Sequence, residues 1–543
     1  MKGAKVRKVC RKVGVALAGA LFFAAIPPTG QAAQSLAKLA PVASGVHHKS
    51  QADPCNAKPA SSASHRSSRR TRACRSSART SAAELAQLKS NERPSQAGGQ
   101  TSLADSQGHT GAQKSPALSG FASRFWIGGQ ANVVPQGHLA FPAPYSGPNS
   151  FHNYSEADVT SIEDLFTGFR VTRNFEILFD AEDVRGQGLS GVVGLAGFPD
   201  LDAQRTPSPG VAAVHTYMSR FLLHYIVPLG GGTVENTPSY LELDSSLPAR
   251  RLEFYFGKFC LADFFDHNAY ANDDHSQFLN WTADQNGAWD YAANTPGYTY
   301  GAYVEFDDHN WSFRYAEALM TKNPNGRYLD LHIANNKAAN AQINWAYSPS
   351  TNGKVRLLGF LDEASMGSFS DALAAWRAGL TPIPEVSAVR QVGAHEYGFG
   401  LNWQQGLPYG LGLFARAGWN NGKYASYSFT EVNNTLEGGV EVPGTLWGRP
   451  TDHVGVAFVS NGISRLHQEY LAAGGLGFLL GDGGLTYGRE QILEAYYNLK
   501  LPIGFSIGPD IQYIQNPGYN QARGPVTIYG MRLHLHLGFR QIF

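Results

Sequence analysis

Past Ile26 the sequence has no apolar run approaching the ~20 residues that a membrane-crossing helix requires. With 43% hydrophobic residues and a mean hydropathy of -0.26, any membrane role has to come from strands. Cysteine is scarce, with four in the chain. Cys10 falls in the leader-like start and Cys260 in a strand-like run, which leaves Cys55 and Cys74 as the pair that can bridge in an oxidising compartment; bridged and free forms are equally open. An excess of charge of one sign is also lacking. A formal net charge of +1 excludes the electrostatic footprint of a nucleic-acid binder. A glycine-rich stretch, Gly474-Gly475-Leu476-Gly477-Phe478, has no βαβ unit around it and so is no dinucleotide loop. It reads as an inward turn after a short helix over 465–473.

The N-terminus has Lys2, Lys5, Arg7, Lys8, Arg11 and Lys12, an apolar run from Val13 to Ile26 and small residues around Gly30-Gln31-Ala32. That layout predicts a cleaved signal peptide over 1–33 and export through the Sec pathway. Residues 34–118 are rich in Ser, Ala and Arg and poor in aromatics, a composition that buries too little apolar area to offset its ordering entropy. This predicts a disordered periplasmic arm. From 119 to 543 the composition turns to Gly, Tyr, Phe and Trp, and this stretch reads as one domain.

Within it, apolar and polar residues alternate in runs of about ten between turn signals. Leu411, Leu413, Ala415, Ala417 and Trp419 share one face, with Arg416 on the other. Tyr397, Phe399, Leu401 and Trp403 oppose Glu396, Gly398, Gly400 and Asn402. Tyr298, Tyr300, Ala302, Val304 and Phe306 form a third face. Trp311, Phe313 and Tyr315 form a fourth, after a hairpin turn expected at Asp307-Asp308-His309-Asn310. Asn352-Gly353 marks another turn, and Pro509, unable to donate to a ladder, predicts a bulge. The last strand is the clearest: Met531, Leu533, Leu535, Leu537 and Phe539 alternate with Arg532, His534, His536 and Arg540. Its polar face is expected to be wet and its apolar face to meet lipid. A closed barrel meets both demands, because hydrocarbon leaves no partner for an open sheet edge. Trp311, Trp403 and Trp419 suit interfacial girdles, and Phe543 suits a C-terminal assembly signal, although Gln541 stands where an apolar residue is expected. About 420 residues at ~10 per strand, plus turns and loops, give between about 14 and about 18 strands, centred on about 16. The expected fold is thus an all-β, up-and-down antiparallel transmembrane barrel with inward-folded loops and one or two short helices. Barrels of this size keep an aqueous lumen.

Blocks along the chain resemble the carbohydrate-selective porins of the OprB type. They run from Ile127-Gly128-Gly129-Gln130 through Gly194-Leu195-Ala196-Gly197-Phe198-Pro199, Gly257-Lys258-Phe259, Asp263-Phe264-Phe265-Asp266 and Phe278-Leu279-Asn280-Trp281 to Trp447-Gly448-Arg449-Pro450 and Glu490-Gln491-Ile492-Leu493-Glu494. The resemblance implies a 16-stranded barrel in the outer membrane of a Gram-negative bacterium that admits sugars passively. The implied surroundings are outer-membrane lipid, lipopolysaccharide and the barrel-assembly machinery, with the chain a monomer or a homotrimer. Two departures stand out: Asn272-Asp273-Asp274-His275 where the family favours an Asp-Pro-Arg step, and Leu222-Leu223-His224 where a more polar continuation follows the arginine.

A sugar path needs aromatic faces for the C–H face of a pyranose and planar hydrogen-bonding groups for its hydroxyls. The aromatic candidates are Trp281, Trp289 and Tyr291, with packing of an inward loop as the alternative. The polar candidates are Arg170, Arg173, Glu182, Arg220, Glu253, Lys258 and Arg416, with mutual pairing in the wall as the alternative. No cofactor is expected. The oxygen-rich Asp263–Asp274 stretch offers hard ligands to calcium as the lesser alternative, since it lacks the regular spacing of a calcium loop, and His534 and His536 read as lumen wall more readily than as a metal chelate. No catalytic residues are expected either, since Ser464 and His467 have no supporting acid. The remaining alternative is a general pore, or one selective for organic acids or polyols.

Overall fold

The computed structural model describes residues 122–205, 216–428 and 430–541. The leader, the arm, Cys55, Cys74 and Phe543 lie outside the described residues. Seventeen strands form one antiparallel sheet: β1 (Phe125–His138), β2 (Glu156–Thr172), β3 (Phe175–Arg185), β4 (Thr216–Glu235), β5 (Ser246–Phe259), β6 (Thr299–Asp308), β7 (Trp311–Leu319), β8 (Lys337–Ser348), β9 (Gly353–Gly367), β10 (Arg390–Gly406), β11 (Gly412–Asn420), β12 (Asn434–Pro443), β13 (His453–Gly462), β14 (Glu490–Lys500), β15 (Phe505–Gln515), β16 (Val526–His536) and β17 (Arg540–Gln541). From β1 to β16 each strand pairs with its sequence neighbours. β1 also pairs with β16, from Gln130↔His536 to His138↔Ile528, and with β17 at Trp126↔Gln541. β17 continues β16 on the same face of β1 after a break at Gly538, whose φ is +72°. The wall therefore has sixteen staves and no open edge, which spares the unpaired N–H and C=O groups that cost several kcal/mol each in hydrocarbon.

The alternation read from the sequence holds. On β11, Leu413, Ala415, Ala417 and Trp419 face outward while Arg416 is buried on the inner side. Phe254, Phe256, Tyr300, Phe313, Leu361 and Phe399 are exposed on the outside. A belt of exposed apolar side chains around a polar interior is the inverse of a water-soluble barrel and fits a lipid surround. Three local expectations change. Tyr298 precedes β6 and is buried, because its hydroxyl turns inward to Glu182. The hairpin after β6 has a two-residue turn, His309-Asn310, since Asp308 pairs with Trp311. At Pro509 pairing with β14 lapses between Asp510↔Tyr496 and Ile507↔Leu499 without a register change, so there is a gap and no bulge.

Short turns such as 173–174 and 309–310 close one end, and long connections leave from the other. Among the described residues there are three α-helices, α1 (Trp281–Asp284), α2 (Phe369–Arg377) and α3 (Arg465–Ala472), one more than the largest number expected. α3 lies where the sequence places a short helix. Ser464 caps it by accepting from the His467 N–H at 3.2 Å and donates to the Gly422 carbonyl.

The β5–β6 connection, residues 260–298, folds into the barrel and is buried over most of its length. Wall side chains satisfy its backbone, as buried peptide groups require. Gln342 accepts from the Asp266 N–H (2.9 Å), Asn402 donates to the Asp266 carbonyl (2.8 Å), Glu494 accepts from the Leu279 N–H (2.6 Å), and Arg532 donates to the carbonyls of Asp274 and Gln277 (both 2.8 Å). The inner face of β16 is therefore covered and not wet at Arg532 and His534, although His536 is exposed. The β3–β4 connection packs beside it. Gly194 there has φ +88°, and a Cβ on it would sit 1.7 Å from the Phe151 backbone nitrogen, so only glycine fits.

Candidate functional site

The segment inside the barrel is fastened to β7, β8, β10, β11 and β14–β16, and the inner faces of β1 to β4 carry a second set of polar groups. Even-numbered residues of β2 and β3 point inward, which places Asp164, Asp180 and Glu182 on the lumen side. Gln130 of β1 donates to Asp164 (Nε2 to Oδ2, 2.8 Å), and both side chains are only partly buried in a wall that is otherwise closed. His534 Nε2 lies 3.3 Å from Gln130 Oε1. Arg220 of β4 makes a two-pronged pair with Asp263 (2.6 and 2.8 Å) and reaches Asp180 at 3.4 Å. Its guanidinium carbon lies 4.4 Å from the Tyr240 ring centre and 5.3 Å from that of Tyr298. Glu182 accepts from the hydroxyls of Tyr217 and Tyr298. One arc of wall thus combines a fixed guanidinium, several carboxylates and aromatic rings; Arg220, Asp180, Glu182 and Tyr298 are buried, and the half-buried Gln130, Asp164, Tyr217 and Tyr240 that they hold are the groups able to exchange hydrogen bonds with a polyhydroxylated solute.

Of the residues singled out from the sequence, Glu182 and Arg220 lie in this arc. Arg416 also points inward but is 1% exposed, held by Asp266 (3.0 Å), Glu437 (3.2 Å) and the Ala271 carbonyl (2.5 Å). It fastens the inward segment. Arg170 and Glu253 belong to a buried network nearer the short-turn end. Arg170 pairs with Glu176 (3.2 Å) and Asp244 (3.1 Å) over the Trp126 ring, and Glu253 contacts Arg251, His224 and Tyr255. Arg173 is exposed in the turn between β2 and β3, outside any constriction. Lys258 shares the outward phase of Phe254 and Phe256 and pairs with the exposed Tyr300; its amine folds back to the Met218 carbonyl at 2.5 Å. That amine lies 5.9 and 5.6 Å from the ring centres of Tyr217 and Tyr298, so Lys258 leaves the strand on the lipid-side phase and its charge borders the arc at the rim. Trp281 donates to the Ala196 carbonyl (2.8 Å) and Trp289 to Asn340 (2.9 Å), and both rings are buried, as is Tyr291 against Trp289. All three pack the inward segment and offer no face to a solute.

Gln130, Asp164, Asp180, Tyr217, Tyr240 and Tyr298 were not singled out. Asp164 carries a readable signal, a carboxylate in phase with Ile162 and Phe166 on one strand face. Tyr240 carries none, because its position depends on the fold-back of residues 236–245.

The carboxylates of Asp263–Asp274 do not converge on one point. Asp263 goes to Arg220, Asp266 to Arg416 and Asn402, and Asp273 to Ser276. Two groups of metal-ligating type are tighter, Glu176–His224–Glu242 and Asp202–Asp274–His275, both buried. In the second, Asp202 lies 3.8 Å from His275 Nε2, while Asp274 (3.4 Å) and Asp273 (3.6 Å) face Nδ1. Carboxylates on both sides of the ring suit an imidazolium. Burial acts to lower the His275 pKa, and Asp274, Asp202 and Asp273 overcome it and push it up to about 10. His534 stacks on the ring with centroids 5.5 Å apart.

The family model described as carbohydrate-selective porin, OprB family, matches residues 164–537 of the chain. Among solved structures, the high-pH form of Pseudomonas putida OprB is similar with TM-score 0.58 and 15% identity, over 76% of this chain and 94% of that one. Salmonella typhi OmpF, solved with daunomycin, gives TM-score 0.41 and 7% identity over 76% and 98%. No curated protein matches the chain. The family match spans more than half of the sequence and coincides with a closed porin-type barrel, so the chain belongs to the carbohydrate-selective porin family of the OprB type.

Proposed function

We propose that the protein carries mono- or oligosaccharides by passive diffusion across the outer membrane of a Gram-negative bacterium, from the long-connection end to the short-turn end, and delivers them to the periplasm. The observation that supports this most is the arc of Gln130, Asp164, Glu182 and Arg220 with the Tyr240 and Tyr298 rings. The half-buried Gln130, Asp164 and Tyr240 supply donor, acceptor and aromatic face on one side of a lumen whose other side is lined by a packed segment, and the buried Arg220, Glu182 and Tyr298 hold that side in place. Asp164, Asp180, Glu182 and Asp263 outnumber Arg220 there, which disfavours organic anions relative to neutral sugars.

The test is conductance of the purified protein in planar bilayers with glucose or maltooligosaccharides added. Concentration-dependent block, weaker in Glu182→Gln and absent with acetate, is expected. Unblocked ohmic current in every sugar would replace this reading with a general diffusion pore.

A further inference from the structure

We propose that Glu176, His224 and Glu242 bind one divalent transition-metal ion of the zinc type, which staples the β4–β5 connection to the barrel wall. The three come from different places: Glu176 from β3, His224 from the facing position of β4, and Glu242 from the connection that folds back under them. His224 Nδ1 is 3.3 Å from Glu176 Oε2 and 3.6 Å from Glu242 Oε2. Metal bonds of ~2.0–2.2 Å in a tetrahedron place ligand atoms about 3.3–3.6 Å apart, which these two distances match, and all three ligand atoms lie within 4.8 Å of one another.

Three further observations point to a ligand. Glu242 is 1% exposed, and its Oε2 has no hydrogen-bond partner although it faces the cluster. The far nitrogen of the ring, His224 Nε2, is 3.2 Å from Glu253 Oε2, and the ring stacks on Tyr255 with centroids 4.0 Å apart and an 8° tilt. A carboxylate on the distal nitrogen of a plane-locked imidazole is the usual outer support of a metal-bound histidine; without the ion, carboxylates on both sides of the ring suit an imidazolium, so binding the ion releases the Nδ1 proton to solvent. Finally, charge is out of balance. Arg170 is shared by Glu176 and Asp244, and Arg251 by Glu253 and Asp307, so even with His224 protonated three cations face five carboxylates, and Glu242 has no arginine of its own. Buried charge of one sign needs a counter-ion. One imidazole nitrogen with two carboxylate oxygens suits zinc-like ions better than calcium, which takes six or more oxygens.

The site goes beyond sugar passage but acts on its geometry. The same connection carries Tyr240, whose ring lies over Arg220 and stacks on Phe166 with centroids 4.9 Å apart. Fixing Glu242 therefore fixes the aromatic wall of the proposed path.

The test measures metal content and zinc titration calorimetry on the intact, detergent-purified protein after chelator treatment, with heat-modifiable migration confirming a folded barrel. One zinc per chain is expected, with affinity lowered at least tenfold in Glu242→Gln and in His224→Gln, and about 10- to 100-fold in the supporting variant Glu253→Gln. Asp274→Asn should bind as the unmodified protein does. No stoichiometric zinc in the folded protein, unchanged binding in both ligand variants, or loss in Asp274→Asn alone would each overturn the assignment. None of these readouts depends on sugar conduction.

Discussion

Replacing Arg416 by methionine should loosen the inward segment while leaving the barrel closed. The guanidinium is held by two carboxylates, Asp266 and Glu437, and by two carbonyls, Asp266 and Ala271, at 2.5–3.2 Å. Methionine matches the length of the stem but leaves Glu437 buried without a cation. Breaking a buried pair in this way costs about 3–5 kcal/mol. That cost falls on docking of residues 260–298 and spares the wall, because the β10–β11–β12 ladder is backbone-paired on both sides of Arg416. At ~1.4 kcal/mol per tenfold, the undocked segment becomes roughly 10²- to 4 × 10³-fold more populated. Hydrogen exchange by mass spectrometry should show faster exchange of amides in the segment, such as those of Asn286 to Tyr291, with β10 and β11 unchanged. Single-channel records should become noisier. Adding Glu437→Gln to the same chain should restore at least about 2 kcal/mol, since the residual penalty is then limited to carbonyls that lose a donor. Unaltered exchange and noise in Arg416→Met, or no recovery in the double variant, would refute the fastener role.

Three other outcomes follow from the same geometry. His275 has a raised folded pKa of about 10 against an ordinary 6.5, so its fastening between Asp202, Asp273, Asp274 and the His534 ring is complete below pH 6.5 and is lost as pH rises toward about 10. Channel noise should increase over that window and should not do so in Asp274→Asn, whose fastening is already weakened. Gly194→Ala forces a Cβ into the Phe151 backbone at a positive φ and should undock the β3–β4 connection, seen as protease cleavage near 194 in folded barrels; an uncleaved variant would contradict the close approach. Lys258→Ala, which removes a cation beside the Tyr217 and Tyr298 rings, should shift the reversal potential toward cation selectivity, whereas an unchanged reversal potential would place its amine outside the path.

The wall was legible because a period of two survives in most strands: Leu413, Ala415, Ala417 and Trp419 against Arg416 suffice to set inside and outside. Lys258 was legible too. It lies five residues from the inward Glu253, an odd spacing that cannot share a face. Burial was not readable in the same way, because it depends on which loop turns inward. Arg532 and Trp289 carry no local mark of the segment that covers the first and contains the second. The Arg220 pairing with Asp263 joins residues 43 apart through that same fold-back. Gln541 proved to be a local contact: its amide donates to the Ser123 carbonyl where β17 seals against β1.

The claim that most needs a direct measurement is passage of sugar through this barrel. Proteoliposomes swollen in isotonic glucose, maltooligosaccharide or an organic acid of matched size give it as a rate. The account predicts faster entry of the sugars than of the acid, with the difference reduced in Glu182→Gln. Rates that follow solute size alone, or faster entry of the acid, would contradict it.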